Sequence, residues 1–342
     1  MGAGRKGGST FSICALALHS ALRLSSVLAY AFSMRYVLGF DGGGTKTDCV
    51  LMDETGVILA RSRSGSSNPT SFGVELSLAS LLEAATDALR AAGKSEQDVA
   101  YLVAGVSGAG ETNMRQALQS ALQSEFPNAS IVITSDLVLS LGATGEIPSV
   151  VAIAGTGSAV LGRTAPLELA RAGGFGPVIG DPGSAYDIGR RAVAMCFQKH
   201  LNGETFPLGA KILEAFQCKF NEFFDQARAH PGAVFPKVFP LVARAAENGD
   251  VAARMLLTSA AKDLRDQARE VIEKLKLRES SFFLGKTGGV FDGSTFLNAQ
   301  FDSLILEIAP KARIGPLPRS VAEAAAQLAR EALTNPLVLG ES

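Results

Sequence analysis

The chain has 342 residues, of which 47% are hydrophobic and 19% are charged, and its formal net charge is −1. This length favours two domains over one, and the composition is typical of a well-buried globular enzyme and excludes a disordered chain. Because Lys and Arg form no run of five or more, the sequence gives no indication of a nucleic acid or an anionic membrane surface as a partner.

Residues 1–33 differ in composition from the rest of the chain. They carry basic residues and no acid, with a modest apolar stretch over residues 11–22 that resembles a targeting segment. His19 and Arg23 interrupt this stretch, and Met34 stands directly before the first predicted strand. We therefore expect a start codon assigned too early and exclude this segment from the fold. A targeting segment is the alternative.

The most informative motif, Gly-Phe-Asp-Gly-Gly-Gly-Thr-Lys-Thr, fills residues 39–47 between two apolar strands. Its glycines let backbone N–H groups approach an anion closely. Thr45 and Thr47 add hydroxyl donors, and Asp41 is suited to hold a magnesium ion, directly or through water. This combination predicts a turn that binds phosphate.

Three other interpretations of this turn fit less well. In a Walker A loop the lysine follows a glycine directly and a helix comes next, whereas here Thr45 separates Gly44 from Lys46 and a strand follows. A dinucleotide-binding fingerprint fails because no helix start is present to receive a pyrophosphate. A plain hairpin would need only two glycines and stays open as the alternative.

The first half of the chain has the pattern of an α/β unit. Its predicted elements are strands over residues 36–39, 48–53, 57–61, 99–106 and 131–133, and helices over residues 71–92 and 112–125. Three strands followed by alternating helices and strands indicate a mixed sheet. Asp136 follows the last of these strands and is a candidate for a functional carboxylate or for a helix N-cap.

The second half repeats the opening pattern and then becomes mostly helical. Its predicted elements are strands over residues 149–154, 159–162, 167–171 and 281–284, a helical region over residues 184–277 that includes a long helix over residues 251–275, a helix that opens near Ser294, and a last helix over residues 318–333. Gly155-Thr156-Gly157-Ser158 forms the turn of the repeated hairpin. Two such hairpins predict two related domains that face a shared cleft, each with a phosphate-binding turn.

A third glycine motif, Gly-Lys-Thr-Gly-Gly-Val-Phe, fills residues 285–291. It is not a Walker loop, because Ser280 occupies the place of the first glycine. We interpret it as the end of a strand followed by a glycine turn. The pair Gly288 and Gly289 would let a flat ring such as adenine lie against the backbone.

The cysteines and histidines carry no ligand pattern. The cysteines are Cys14, Cys49, Cys196 and Cys218. They form no Cys-x-x-Cys pair, so a structural metal or a disulfide framework is not expected. With only three histidines in the chain, a general base is expected to be a carboxylate.

Four segments in this order resemble the superfamily of sugar kinases, heat-shock chaperone ATPases and actin. These segments are residues 41–45, Asp136 after a strand, residues 155–158 and residues 288–291. Asn68 in Ser-Ser-Asn-Pro, the loop over residues 173–176 and the run over residues 180–186 narrow the resemblance. They are similar to the N-acetylglucosamine kinase branch of the BadF/BadG/BcrA/BcrD ATPase family, over residues 34–333.

The resemblance implies an α/β fold of two actin-like ATPase (ribonuclease H-like) domains, with mixed sheets flanked by helices and an interdomain cleft. Residues 34–146 with 318–335 would form the N-terminal domain, and residues 147–317 the C-terminal domain. The implied function is ATP- and magnesium-dependent phosphorylation of an amino sugar at its 6-hydroxyl, with N-acetylglucosamine or glucosamine as the expected substrate. The enzyme would be cytoplasmic, where ATP is available, and homodimers are common in similar enzymes.

By the same resemblance, Asp136 would be the catalytic base and Asp41 would organise magnesium. The predicted nucleotide and magnesium site comprises Asp41, Gly42, Gly43, Gly44, Thr45, Gly155, Thr156, Gly157, Gly288, Gly289 and Gly293. The predicted sugar site comprises Asn68, Ser107, Asp136, Ser158, Gly174, Phe175, Gly176 and Asp181. Lys46 is left open between a phosphate contact and a solvated lysine.

Two positions depart from the family pattern. Relatives usually carry tryptophan where Phe175 stands and often an acid where Pro182 stands. Phosphoryl transfer is therefore better supported than the identity of the sugar. Glucosamine, N-acetylmuramic acid and other hexoses stay open as substrates.

Two other functions compete with the kinase. One is an ATPase activator of a 2-hydroxyacyl-CoA dehydratase or benzoyl-CoA reductase, which needs thiolates for a shared iron–sulfur cluster. The other is an actin-like assembly or regulatory protein that uses nucleotide only as a clamp. That function would leave Asn68, Asp136 and Asp181 without a purpose.

Overall fold

A computed structural model describes residues 34–109, 112–165 and 168–335. The predictions for residues 1–33 and for Leu167 lie outside these ranges. Within them, no helix combines the length and the hydropathy of a membrane span.

The first sheet is built from the first half of the chain. Its strands are β1 (Tyr36–Gly42), β2 (Thr47–Asp53), β3 (Ile58–Ser64), β4 (Val99–Val106) and β5 (Ser130–Thr134), in the order β3-β2-β1-β4-β5. Strand β2 runs antiparallel to β1 and β3, whereas β4 is parallel to both β1 and β5. The sheet is mixed, as the sequence predicts.

The second sheet has the same topology. Its strands are β6 (Ser149–Ala154), β7 (Ser158–Arg163), β8 (Leu169–Gly173), β9 (Phe282–Thr287) and β10 (Ala312–Pro316), in the order β10-β9-β6-β7-β8. Strand β7 is antiparallel to β6 and β8, and β9 is parallel to β6 and β10. The internal repeat predicted from the two hairpins is therefore confirmed at the level of strand order and direction.

Helices cover both sheets. In the described part of the chain they are α1 (Pro69–Ala91), α2 (Thr112–Glu125), α3 (Asp136–Ala143), α4 (Ala185–Leu201), α5 (Pro207–Ala215), α6 (Phe220–Ala229), α7 (Pro231–Glu247), α8 (Val251–Lys274), α9 (Gly289–Gly293), α10 (Thr295–Ile308) and α11 (Val321–Ala332). Helices α1 and α2 share one apolar core with the first sheet, and α4 to α8 and α10 share the largest core with the second sheet.

Helix α11 returns to the first sheet and packs tightly on β1. A Cβ placed on Gly39 would lie 2.1 Å from the backbone nitrogen of Ala326, so only glycine admits the helix backbone this close. Alanines along α11 are buried against the sheet. Helix α3 connects the two halves, because its Leu141 packs with Val151 and Leu161 of the second sheet.

Several predicted boundaries were wrong. The last helix begins at Val321 and not at Pro318, because Ser320 is its N-cap and its hydroxyl accepts a hydrogen bond from the backbone N–H of Glu323 at 3.2 Å. Strands β3 and β8, which follow the two hairpins, run further than predicted. They end at Ser64 and Gly173, because each pairs along the length of the neighbouring strand.

The strand that leads into the third glycine motif is longer than predicted, and the interpretation of the motif as a strand end followed by a glycine turn is confirmed. The predicted strand over residues 281–284 continues to Thr287, because Gly285 and Lys286 pair with β6 on one side and β10 on the other. The glycine turn is reduced to Gly288, and the short helix α9 follows it before Ser294 caps α10. Lys286 therefore lies inside the sheet and not in a phosphate-binding loop.

Candidate functional site

The first glycine turn is shorter than predicted, since Asp41 and Gly42 belong to β1. The turn is closed by a hydrogen bond from the N–H of Gly43 to the carbonyl of Lys46, at 2.9 Å. The Ser66 hydroxyl donates to the Gly43 carbonyl at 3.0 Å. These contacts tie the loop that carries Asn68 to the turn.

Ser107 and Asn68 lie next to the turn at the end of β4. The backbone N–H of Ser107 donates to the carbonyl of Gly42 at 2.7 Å. A Cβ on Gly108 would lie 2.5 Å from Asn68 Oδ1, and the Thr70 hydroxyl donates to the Gly108 carbonyl at 3.0 Å. The structure therefore brings two predicted sugar-binding residues to the first turn.

Asp136 is the first residue of α3, directly after the N-cap. The interpretation of Asp136 as the cap was wrong, because Ser135 holds that position and its hydroxyl accepts from the N–H of Leu137 at 3.2 Å. Asp136 Oδ1 also accepts from this N–H, at 3.0 Å. The hydroxyls of Ser135 and Ser107 donate to the carboxyl group. Burial raises the pKa of Asp136 and these hydrogen bonds oppose the rise.

Asp41 lies close enough to Asp136 for their charges to interact. Burial raises the pKa of Asp41 to about 7, and the negative charges of Asp136 and Asp48 add to the rise, whereas Lys46 opposes it. A half-buried carboxyl group with acidic neighbours is suited to a divalent cation, which would offset the accumulated negative charge. Oxygen donors are also the ligands that Mg²⁺ prefers.

The residues present fit a magnesium ion that is held mainly by its nucleotide. Within the described ranges, no cluster of three or more His, Cys, Asp or Glu residues is arranged to hold a metal. Mg²⁺ usually keeps several waters and binds through one or two carboxylates plus substrate phosphates. Asp41 is the residue that would hold it.

Lys46 is engaged by a neighbouring acid. Its Nζ lies 2.8 Å from Asp48 Oδ2, and Arg63 Nε lies 2.5 Å from the other oxygen of the same carboxyl group. The hydrogen bonds from both cations hold the pKa of Asp48 below its usual value, against the effect of burial. In this structure Lys46 belongs to a surface ion pair.

The second glycine turn is closed by its own backbone and by α4. The N–H of Gly155 donates to the carbonyl of Gly157 at 2.9 Å, and the first residue of α4, Ala185, donates its N–H to the carbonyl of Gly155 at 2.8 Å. Gly288 packs against this turn with a φ of 105°, and a Cβ there would lie 2.4 Å from the Ala154 carbonyl oxygen. Glycine is therefore required at position 288 by both conformation and space.

The two turns approach each other. A Cβ placed on Gly44 would lie 3.8 Å from Thr156 Oγ1. One turn follows β1 and the other follows β6, so the corresponding hairpins of the two sheets lie close together at these turns. Thr45 lies exposed at the tip of the first turn.

Asp181 lies beside the second turn and organises the loop that precedes it. Its Oδ1 accepts from the N–H of Gly176 at 3.2 Å, and further backbone N–H groups of Ser158, Gly174 and Phe175 contribute hydrogen bonds. A Cβ on Gly157 would lie 2.4 Å from Asp181 Oδ2. Burial raises the pKa of this carboxyl group, and the N–H groups counteract the rise.

The side chain of Phe175 and two predicted glycines lie away from these contacts. The Phe175 side chain is 66% exposed, and its ring centroid lies 5.6 Å from the guanidinium carbon of Arg171. Gly289 is exposed at the start of α9. Gly293 ends that helix, and a Cβ there would lie 3.0 Å from the ring of Phe239.

Sequence reasoning missed two buried polar residues near the site. Lys286 in β9 is 9% exposed, and its Nζ lies 2.6 Å from Asp302 Oδ1 and donates to Asn298. Gln267 in α8 is 7% exposed and contacts the second turn. The signal for Gln267 was a single amide on the apolar stripe of the long helix predicted over residues 251–275.

The two sheets have the same topology, and the first hairpin of each carries a glycine turn. These turns meet beside a pair of carboxyl groups, Asp41 and Asp136. This arrangement defines an ATPase of the actin-like class. A sequence profile of the BadF/BadG/BcrA/BcrD ATPase family matches residues 38–325, and the chain belongs to this family. The resemblance inferred from the motifs is thereby confirmed.

Several relatives are similar to this protein over most of the chain. An N-acetylmuramic acid/N-acetylglucosamine kinase of Clostridium acetobutylicum is 28% identical over 87% of this chain and 99% of its own length. An N-acetyl-D-glucosamine kinase of Dictyostelium discoideum is 32% identical over 82% and 93%. The crystal structure of a candidate N-acetylglucosamine kinase from Chromobacterium violaceum superposes with a TM-score of 0.70 at 26% identity, covering 86% and 99%. The predicted fold class is confirmed.

Proposed function

We propose that this protein is an ATP- and magnesium-dependent kinase that phosphorylates an amino sugar at its 6-hydroxyl. The observation that carries the proposal is the meeting of Asp41 and Asp136 beside glycine turns from both sheets. In this proposal Asp41 serves a cation and Asp136 serves a hydroxyl. The names of the relatives from C. acetobutylicum and D. discoideum support amino sugars as the substrate class.

Asp136 acts as the general base. The sugar 6-hydroxyl donates its proton to the Asp136 carboxylate as the hydroxyl oxygen attacks the γ-phosphate of ATP, and ADP leaves. The raised pKa makes this carboxylate a stronger base than an exposed aspartate. The Ser107 and Ser135 hydroxyls hold its orientation.

The glycine turns bind the phosphates through their backbone N–H groups, and Thr45 and Thr156 add hydroxyl donors. Asp41 would hold a magnesium ion, directly or through water, and the ion would neutralise charge that develops on the transferring phosphoryl group. The backbone at Gly288 and Gly289 accommodates adenine.

The sugar lies between Asn68 and the loop organised by Asp181. The two halves of the molecule, residues 34–146 with 318–335 and residues 147–317, act as domains that close over it and exclude water. Phe175 is exposed in this structure and packs on the sugar or its acyl group after closure. The reaction takes place in the cytoplasm, where ATP is available, and a homodimer remains a prediction.

The placement of the cysteines does not favour the alternative of an iron–sulfur activator. Cys49 is in the core of the first sheet and Cys196 in the core of the second. Burial raises the pKa of both thiols, whereas cluster ligands must be thiolates.

A coupled assay of ADP release tests the proposal. N-Acetylglucosamine, glucosamine, N-acetylmuramic acid and glucose are each supplied with ATP, with and without magnesium. We expect an amino sugar to stimulate ADP release and chelation of magnesium to abolish it. If no sugar raises ADP release above the sugar-free rate, the kinase function is wrong.

A further inference from the structure

Gln267 is a buried amide on an otherwise apolar helix face. It lies in α8 next to Leu264, Ala268 and Val271, which are all fully buried. A buried polar side chain is unfavourable unless hydrogen bonds compensate for its loss of water. The partners of Gln267 therefore indicate what it does.

The amide contacts three separate segments around the second turn. Its Nε2 donates to the carbonyl of Pro182 at 2.9 Å and to Ser158 Oγ at 3.3 Å. The Ser158 hydroxyl donates to the same Pro182 carbonyl at 2.9 Å. A Cβ placed on Gly173 would lie 2.0 Å from Gln267 Oε1, so the amide also lies against the start of the loop over residues 173–176.

The orientation of the amide follows from chemistry. The Pro182 carbonyl only accepts hydrogen bonds, so the nitrogen of Gln267 must face it and the oxygen must face Gly173. Among the described residues, Oε1 has no hydrogen-bond partner. An unpaired buried acceptor is costly. Gln267 is consequently a poor choice for stability, and an apolar side chain of the same length would not carry this cost.

We propose that Gln267 is a positioning residue for the sugar site. It fixes the Pro182 carbonyl and the Ser158 hydroxyl, and thereby the adjacent Asp181, whose carboxyl group accepts the N–H of Gly176. Gln267 acts through these groups and does not touch the substrate. This inference rests on the proposed function, because it assigns the loop that Gln267 holds to sugar binding.

The variant Gln267→Met separates positioning from stability. Methionine has a similar length and lacks both the donor and the unpaired acceptor. We expect the KM for the sugar to rise about tenfold, the equivalent of roughly one hydrogen bond. The KM for ATP should change by less than about twofold. Gln267 hydrogen-bonds Ser158 and Pro182 and not the glycines to which we assign phosphate binding. The thermal midpoint should stay unchanged or rise.

A second variant, Gln267→Glu, keeps the shape but presents a carboxylate oxygen to the Pro182 carbonyl. The two acceptors repel each other, so the sugar KM should rise further than in Gln267→Met. Glu270→Gln is the matched control, because Glu270 lies one turn along α8, is 54% exposed and pairs with Lys274. Its kinetic constants should equal those of the wild type.

If the enzyme is active and both Gln267 variants have the sugar KM of the wild type, the positioning role of Gln267 is wrong but the proposed function stands. A parallel rise of both KM values with a lowered thermal midpoint, or a Gln267→Met protein that does not fold, shows that the amide is structural and also overturns the positioning role. A wild-type protein that is inactive with every sugar removes the proposed function and this inference together.

Discussion

The two glycine turns have the same topology but different chemistry. The turn after β1 is surrounded by ionisable side chains: Asp136, Asp48 and Lys46 all influence the pKa of Asp41. The turn after β6 contains only glycine, threonine and serine, and part of its backbone is hydrogen-bonded to α4. The repeated fold therefore has a glycine turn in both halves, with ionisable side chains within the first turn and the carboxyl group of Asp181 beside the second. Variants at each turn should separate these two contributions.

The largest expected effect comes from Asp136→Asn. The amide keeps the size of the side chain but cannot take the proton of the sugar hydroxyl. We expect kcat to fall by about 10²- to 10⁴-fold, while the dissociation constant for ATP stays near the wild-type value. Steady-state kinetics and calorimetric titration with a non-hydrolysable ATP analogue measure the two quantities. Full activity in this variant would contradict the role of Asp136 as base.

Gly288→Ala should distort the second glycine turn without changing any charge. The added methyl group meets the Ala154 carbonyl, and alanine would have to adopt the φ of 105° that position 288 has. A side chain in such a backbone conformation costs about 1 to 3 kcal/mol. We expect the free energy of unfolding to fall by this amount and the KM for ATP to rise. Gly232→Ala in α7 is the control, because a Cβ there meets no atom within 4 Å. Equal stability of the two variants in urea unfolding would refute the argument.

Asp41→Asn should change how stability depends on pH. The folded-state pKa of Asp41 is raised from 3.8 to about 7, so ionisation is less favourable in the folded protein than in the unfolded chain. In the absence of ligands, the Asp41 contribution to wild-type stability is full below pH 4 and decreases as the pH rises to about 7. The thermal midpoint of Asp41→Asn should therefore rise relative to wild type over this range.

The second turn supplies the control for that experiment. Thr156→Val removes a hydroxyl and no titratable group, so its difference in thermal midpoint from wild type should not vary with pH. Magnesium with an ATP analogue should reduce the pH dependence of the wild type, because a bound cation favours the ionised carboxyl group. A pH-independent difference for Asp41→Asn would show that this carboxyl group is not perturbed.

The smallest effect is expected from Lys46→Gln. Lys46 is paired with Asp48 at the surface, and Asp48 keeps Arg63 as a partner. Exposed ion pairs contribute about 0 to 1 kcal/mol, so stability should hardly change. We expect the KM for ATP to stay within about twofold of wild type, since the lysine is already engaged by Asp48. A rise of more than about tenfold, equivalent to 1.4 kcal/mol, would instead place Lys46 on a phosphate.

Much of the fold could be predicted because its signals are local. Glycine turns between apolar runs marked both hairpins, and a last helix was predicted over residues 318–333. The ends of elements were harder to predict. Pro318 marked the approach to a helix, but the cap at Ser320 decided where it begins. The strand predicted over residues 281–284 was too short, because pairing on both sides keeps the Gly-Lys-Thr triplet in β9.

The site was predictable where one motif supplies both the geometry and the chemistry. Asp41 lies near the end of β1, and Asp136 follows β5. Only β4 separates these two parallel-running strands in the sheet, so the topology brings the two residues together. Gln267 could not be assigned, because its partners Ser158 and Pro182 lie 109 and 85 residues away in the chain. The hydrogen bonds of Asp181 to loop N–H groups were likewise invisible without the fold.

The close contact between Gly39 and Ala326 has a consequence for the order in which the molecule assembles during synthesis. All strands of the first sheet leave the ribosome early, yet one face of that sheet is covered by α11, the last helix described. Every strand of the second sheet has been synthesised before α11 emerges. The half of the molecule that is translated first is therefore completed last, and its apolar face depends on the second half being made without delay.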